Sequence, residues 1–85
     1  MKKIKYRKGL RLNVGDIIHE EINSTKIYSY RIIKILKDIN IITLMRLKDF
    51  NRHKFNIHIN VLSDTTHKIY IERTMLNKIN KLLKI

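Results

Sequence analysis

The sequence predicts a small, mostly β domain, in which a five-stranded antiparallel sheet is strongly curved or closed into a barrel and one amphipathic α-helix ends the chain. Three patterns support this prediction. Residues 55–61 alternate apolar and polar side chains, residues 26–48 are rich in Ile and Tyr, and residues 75–83 place apolar side chains at helical spacing. With 85 residues the chain has room for one modest core and no second domain.

The first strand is predicted to follow a turn at Gly15 and Asp16. It contains Ile17, Ile18 and Ile22. The stretch VGDII at residues 14–18, followed by hairpins, resembles the first strand of SH3-like small barrels. That resemblance implies a barrel rather than a flat sheet.

Residues 26–48 could form one helix or two strands. Ile32, Ile35 and Ile39 would line one helix face, but Ile and Tyr are stiff β-formers and no N-terminal cap precedes them. Asp38 and Asn40 favour a turn between them. We therefore predict a hairpin with strands at 26–36 and 41–48, and the mixed polarity of the first strand predicts a bend or bulge in it.

Two further strands are predicted downstream. The alternation in FNIHINV gives a half-buried strand at residues 55–61, with Phe55 on the core face. A polar turn at residues 63–67 then leads to a short strand, KIYIE, at residues 68–72.

The C-terminal segment, residues 74–85, is predicted to be an amphipathic helix with Thr74 as its N-cap. Its apolar face consists of Met75, Leu76, Ile79, Leu82 and Leu83. We favour a role in closing the open end of the barrel. A partner-binding or dimerising helix is one alternative, and a helix lying on a membrane surface is the other.

The net charge of +12 is distributed unevenly. Residues 1–11 contain no acid and are predicted to form a basic N-terminal arm, which leaves residues 12–85 as the single domain. Residues 12–25 are net negative through Asp16, Glu20 and Glu21, whereas residues 26–48 are again basic. A strongly basic domain attracts nucleic acid or an acidic protein surface.

Cations alternate with aromatic residues in several places, as surfaces that bind phosphates and stack on bases require. We therefore predict a module that binds RNA or DNA mainly through backbone phosphates. The predicted contact residues are Lys2, Lys3, Lys5, Arg7 and Lys8 in the arm, and Tyr28, Arg31, Lys34, Arg46, Phe50, Arg52 and Lys54 in the sheet and its loop.

Several classes of function are not predicted. The chain has no cysteine, and its four histidines and seven acids show no metal-ligand spacing, so neither a disulfide framework nor a metal site is expected. With two glycines there is no phosphate-binding loop or dinucleotide fingerprint, and we expect no cofactor.

Two other functions are compatible with the composition. The first is a small regulator or inhibitor, of the kind that phages and mobile elements encode, that binds an acidic or nucleic-acid-bound host protein. The second is a small RNA-cleaving toxin, with His53 or His67 as acid or base, Glu72 as base, and Arg52 or Arg73 holding the phosphate. Exposed sheet edges would also allow a homodimer.

The cellular location is predicted from what the N-terminus lacks. No apolar run follows the basic residues 1–10, so a secretory signal is not predicted, and no stretch is long enough to cross a membrane. We expect a cytoplasmic protein without a membrane partner.

Overall fold

The computed structural model describes residues 3–48 and 53–73. They form a mostly β fold, which confirms the predicted class. The strands are β1 (Lys3–Lys5), β2 (Ile17–Asn23), β3 (Lys26–Leu36), β4 (Ile41–Arg46), β5 (Lys54–His58) and β6 (Lys68–Glu72). They build one antiparallel sheet in the order β1-β6-β2-β3-β4-β5.

The predicted barrel is not formed by the described residues. The sheet has six strands rather than five, and β1 and β5 are its two open edges. The additional strand is β1, which comes from the segment predicted as an arm: Ile4 lies opposite Ile71, and the Tyr6 amide then donates to the Ile69 carbonyl at 2.7 Å. Three residues carry no strand signal by themselves, so only pairing with β6 reveals this one.

The central hairpin agrees with its prediction. Strand β3 spans the predicted residues, and its register against β4 shifts between Ile32 and Lys34, which is the predicted bulge. A 3-10 turn over Lys37–Ile39 ends at Asn40, whose φ of 55° is the left-handed conformation that Asn tolerates. Strand β4 begins at the next residue, Ile41, and ends at Arg46, two residues before its predicted end.

Strand β5 is shorter than predicted. It ends at His58, and a short helix α1 (Asn60–Asp64) follows where the alternation suggested that the strand would continue to Val61. The Ile59 amide donates to the Asn40 carbonyl at 2.8 Å, next to the first residue of β4. Helix α1 then turns Leu62 into the core and leaves Val61 half exposed.

The hydrophobic core lies on one side of the sheet, which we call the inner face. Ile4, Ile71, Ile18 and Tyr30 are successive cross-strand partners on this face. The buried cluster is Leu12, Ile18, Ile32, Ile42, Leu44, Leu62, Ile69 and Ile71. Each fully buried aliphatic side chain contributes about 1.5–3 kcal/mol, so this cluster is the main source of stability.

The start of β2 is fixed by a turn that the sequence predicted. The Asp16 amide donates to the Asn13 carbonyl at 3.1 Å, and Gly15 has a φ of 96° that an L-residue would adopt only with strain. Asp16 is fully buried there, accepts a hydrogen bond from the Asn13 amide at 2.9 Å and pairs with Arg73.

The predicted C-terminal helix and the residues given to its apolar face, at 74–85, lie outside the described residues. Within residues 3–48 and 53–73, no helix has the length and apolar character needed to cross a membrane.

Candidate functional site

The first candidate site is a cavity of about 420 Å³ between the segment after β1 and the loop from α1 to β6, which we call the cationic cleft. The polar side chains around it come from Lys5, Arg7, Lys8, Ser63, Thr65, Thr66, His67 and Lys68. Four are cations, and none of the described lining residues is an acid. A concave surface of one sign concentrates the electrostatic field, so this cleft favours an anion.

The fold holds the walls of the cleft by backbone contacts. The hydrogen bond from Tyr6 to Ile69 extends the pairing of β1 with β6, and the Leu10 amide donates to the Arg7 carbonyl at 3.0 Å. That turn contains Gly9, whose φ is 92°. The three cations Lys5, Arg7 and Lys8 are therefore carried on a segment attached to the sheet, with their side chains exposed.

The opposite wall supplies hydroxyl groups and an imidazole. The His67 amide donates to the Thr65 hydroxyl at 3.1 Å, which holds the loop. The His67 ring is oriented by Glu20, with 2.8 Å between Nδ1 and the carboxylate Oε2. Hydroxyls and cations together are the usual contacts of a phosphate group.

A second, smaller cavity lies on the inner face beside α1, and we call it the inner pocket. Its volume is about 140 Å³, and its walls include Tyr30, Phe55, Leu62 and Ile69, with the Glu20 carboxylate at its edge. The rings of Tyr30 and Phe55 meet edge to face, with centroids 5.5 Å apart. Phe55 lies on the predicted core face but remains 39% exposed.

Four other predicted cations, Lys3, Arg31, Lys34 and Lys54, lie on the opposite, outer face of the sheet. The register places Lys5 and Lys68 on this face as well, at the ends of their strands beside the cleft. The register aligns Lys3, Glu72, Ile17, Arg31, Met45 and Lys54 in one row across the six strands. The cations in this row are separated by an acid and by apolar side chains. Lys34 belongs to the next row on this face, opposite Thr43.

Two predicted arginines differ from the exposed lysines of the outer face. Arg31 is half buried, and its Nε has no hydrogen-bond partner among the described residues. The Arg46 guanidinium covers the ring of Tyr28 at 4.4 Å, a cation–π contact at the end of the inner face. One side of the Tyr28 ring is therefore already occupied.

The predicted site residues thus separate into groups. Lys5, Arg7 and Lys8 meet in the cationic cleft, Lys3, Arg31, Lys34 and Lys54 lie on the outer face, and Tyr28 and Arg46 form a pair on the inner face. Lys2, Phe50 and Arg52 lie outside the described residues.

Among the residues suggested for RNA cleavage, His67, Glu72 and Arg73 each have other partners within the described part of the chain, and Arg52 lies outside it. His67 precedes β6 and Glu72 ends it, so their backbones are about 16 Å apart at the usual rise of a strand. Glu72 instead contacts His19 at 3.2 Å, and the other His19 ring nitrogen lies 2.7 Å from the Ser29 hydroxyl. Arg73 contacts Asp16 and the Arg11 carbonyl. Within the described residues, no three metal-ligating side chains cluster.

Comparison with known proteins yields no match. This holds for family models, for curated proteins and for solved structures. The function is therefore argued from the chemistry of the residues themselves.

Sequence reasoning did not find every residue of the two cavities. It missed Lys68 and the hydroxyls of the cleft, because these face Lys5 and Arg7 only after β1 has paired with β6. His67 was singled out only as a candidate acid or base for RNA cleavage, not as part of this cleft. Sequence reasoning also missed Glu20, whose role depends on a contact with His67, 47 residues away in the loop before β6. The sequence feature that could have indicated the missed residues of the cleft is the hydroxyl-rich turn at residues 63–67.

Proposed function

We propose that the protein binds nucleic acid through its phosphate backbone, with the cationic cleft as the principal site. The observation that supports this most strongly is the composition of the cleft: four cations and three Ser or Thr side chains surround a cavity of about 420 Å³ without an acid among the described lining residues. The backbone of a nucleic acid presents phosphate diesters at regular intervals, and cations and hydroxyls are the groups that contact them.

The outer face attracts phosphate more weakly than the cationic cleft does. Its cations are exposed at Lys3, Lys34 and Lys54, but Glu72 and Glu21 share that face. Their attraction for phosphate is therefore partly cancelled and is screened beyond about 8 Å at physiological salt. We assign these residues to steering rather than to close contact, and we retain Lys2, Phe50 and Arg52 as predicted contacts.

The salt dependence of binding tests the proposal. Fluorescence anisotropy with labelled RNA and DNA, single- and double-stranded, should give a slope of log affinity against log salt of about −4 if the four cleft cations each neutralise one phosphate. Affinity would then fall roughly a hundredfold from about 50 to 200 mM salt. A flat response for every nucleic acid would contradict the proposal.

Two matched triple variants locate the site. Lys5→Ala, Lys8→Ala and Lys68→Ala remove three exposed lysines from the cleft, whereas Lys3→Ala, Lys34→Ala and Lys54→Ala remove three exposed lysines from the outer face. The change in net charge is the same. We expect the cleft variant to reduce the salt slope by about 3 and the outer-face variant by less than about 1. Equal losses would mean that net charge, and not the cleft, drives binding.

A further inference from the structure

The inner pocket has the features of a site for a flat, partly polar ring. Its volume of about 140 Å³ is too small for most ligand sites but sufficient for one ring system. The walls are mostly aliphatic, and Phe55 presents an exposed ring that is held edge to face against Tyr30. Exposed aromatic rings on a rigid sheet are the usual platforms for unpaired bases.

One charged group gives this pocket polarity. Among the described residues that line it, Glu20 is the single charged side chain. A carboxylate offers about four acceptor positions, and the imidazole of His67 uses one of them on Oε2. The same carboxylate raises the pKa of the neighbouring Tyr30 phenol, after the larger effect of burial. Acceptor capacity therefore remains for a donor that enters the pocket.

The inner pocket and the cationic cleft are neighbours. Leu62, Thr65 and Ile69 line both cavities, and the contact between Glu20 and His67 joins them, because Glu20 borders the pocket and His67 borders the cleft. The Glu20 and His67 side chains would then lie between an anion in the cleft and a ring in the pocket. A nucleotide also holds a phosphate close to a flat ring, so it could occupy both cavities.

We propose that the inner pocket takes an unpaired nucleobase with an exocyclic amino group, from a strand whose phosphates occupy the cationic cleft. This inference rests on the proposed nucleic-acid binding and specifies its substrate as single-stranded. The amino group of cytosine, adenine or guanine donates to the Glu20 carboxylate, whereas the carbonyl oxygen of uracil at the corresponding position is repelled by it. In a duplex the amino group is paired, and the base is stacked away from the pocket.

Cytosine and uracil oligomers provide the most direct test, because the two bases have the same shape and differ at the group that would face Glu20. Anisotropy with short labelled oligocytidylate and oligouridylate should show about tenfold tighter binding of the cytosine strand, as expected for a hydrogen bond to a charged acceptor. Glu20→Gln should reduce that ratio to less than about twofold, because an amide can also donate to the uracil carbonyl.

Glu21→Gln is the matched control. Glu21 is the next residue of β2, lies on the outer face and loses the same charge on substitution. Both variants raise general affinity through charge, but the cytosine preference should survive in Glu21→Gln alone. If Glu20→Gln does not fold, Phe55→Ala serves in its place, and it should weaken single-strand binding about tenfold while leaving duplex binding unchanged.

The outcomes separate this inference from the proposed function. Binding to nucleic acid with equal affinity for the two strands, or a cytosine preference that persists in Glu20→Gln, overturns the base pocket and leaves the phosphate cleft intact. No binding to any nucleic acid overturns both.

Discussion

Asp16 and Glu20 are two carboxylates in the same acidic stretch of a basic chain, and the fold treats them in opposite ways. Asp16 is fully buried, with Oδ2 contacted by the Asn13 amide and by Arg73. The Glu20 side chain is 25% exposed, contacts His67 and borders a cavity. They are close in sequence, with Asp16 just before β2 and Glu20 within it, and they differ chiefly in what surrounds them.

The difference indicates two roles for the same chemical group. A carboxylate enclosed by donors of its own chain holds that chain together, and removing a donor leaves a buried charge unsatisfied. A carboxylate at the edge of a cavity is less important for folding and retains acceptor positions for a ligand. We therefore expect changes around Asp16 to act on stability and changes at Glu20 to act on recognition.

The largest effect should come from Arg73→Ala. Without the guanidinium, the fully buried Asp16 carboxylate loses its contact with Arg73, and the free energy of unfolding should fall by roughly 3 kcal/mol. We place the value at the lower end of the range because the Arg73 side chain is 26% exposed. Urea unfolding followed by circular dichroism measures the change.

Arg73→Lys is the control for this variant, since it keeps the charge but lacks the second contact to the Arg11 carbonyl. It should recover part of the lost stability. A loss below about 1 kcal/mol in Arg73→Ala would mean that the pair behaves as an ordinary surface ion pair.

A smaller loss is expected for Gly15→Ala, which strains the turn that brings Asp16 into position. At a φ of 96° an added Cβ should cost about 1–2 kcal/mol. The same denaturation measurement applies, and Gly9→Ala is a useful comparison: Gly9 has a φ of 92°, and a Cβ there would meet no neighbouring atom. Similar losses would indicate backbone strain alone, whereas a larger loss at position 15 would show that the Asp16 contacts move as well.

Glu20→Gln should change stability by less than about 1 kcal/mol, since the side chain is partly solvated and the amide oxygen still accepts a hydrogen bond from His67. Urea unfolding of Glu20→Gln and Arg73→Ala side by side compares the losses of stability at the two acids. A loss as large as that of Arg73→Ala would assign Glu20 to the structural role and would remove the distinction between the two acids.

The strand pattern could be predicted where composition and periodicity agree. Strands β3 and β6 occupy their predicted residues because β-branched and aromatic side chains are bounded by polar turns. Strand β1 could not be predicted, since Lys-Ile-Lys acquires strand structure only by pairing with β6, more than sixty residues away. The same missing pairing explains why the N-terminal segment was predicted as an arm.

The candidate site was predictable in its charge but not in its shape. Lys5, Arg7 and Lys8 were identified from local composition, but their concave arrangement depends on the loop that precedes β6. The alternation of β5 placed Phe55 on the core face correctly. It could not show that the short helix α1 leaves a cavity beside that ring.

The smallest effect should be seen in Tyr30→Phe at alkaline pH. Burial raises the pKa of the Tyr30 phenol above its ordinary value of 10.0, and the neighbouring Glu20 carboxylate raises it further. The phenol therefore ionises first in the unfolded chain, so its contribution to stability is complete below pH 10.0 and is lost as the pH rises above it. Tyr30→Phe removes this contribution, and the variant should lose less stability than the parent as the pH rises above about 10.

Tyr6→Phe isolates the influence of Glu20, because the pKa of Tyr6 is raised by burial alone. Its effect on the alkaline slope should be smaller than that of Tyr30→Phe. In a Glu20→Gln background the effect of Tyr30→Phe should become smaller and approach that of Tyr6→Phe, because one of the charges that acts on Tyr30 and not on Tyr6 is gone. If Tyr30→Phe has the same effect in both backgrounds, Glu20 does not act on the phenol. The polar edge of the inner pocket would then be less organised than its contacts with His67 and Tyr30 imply.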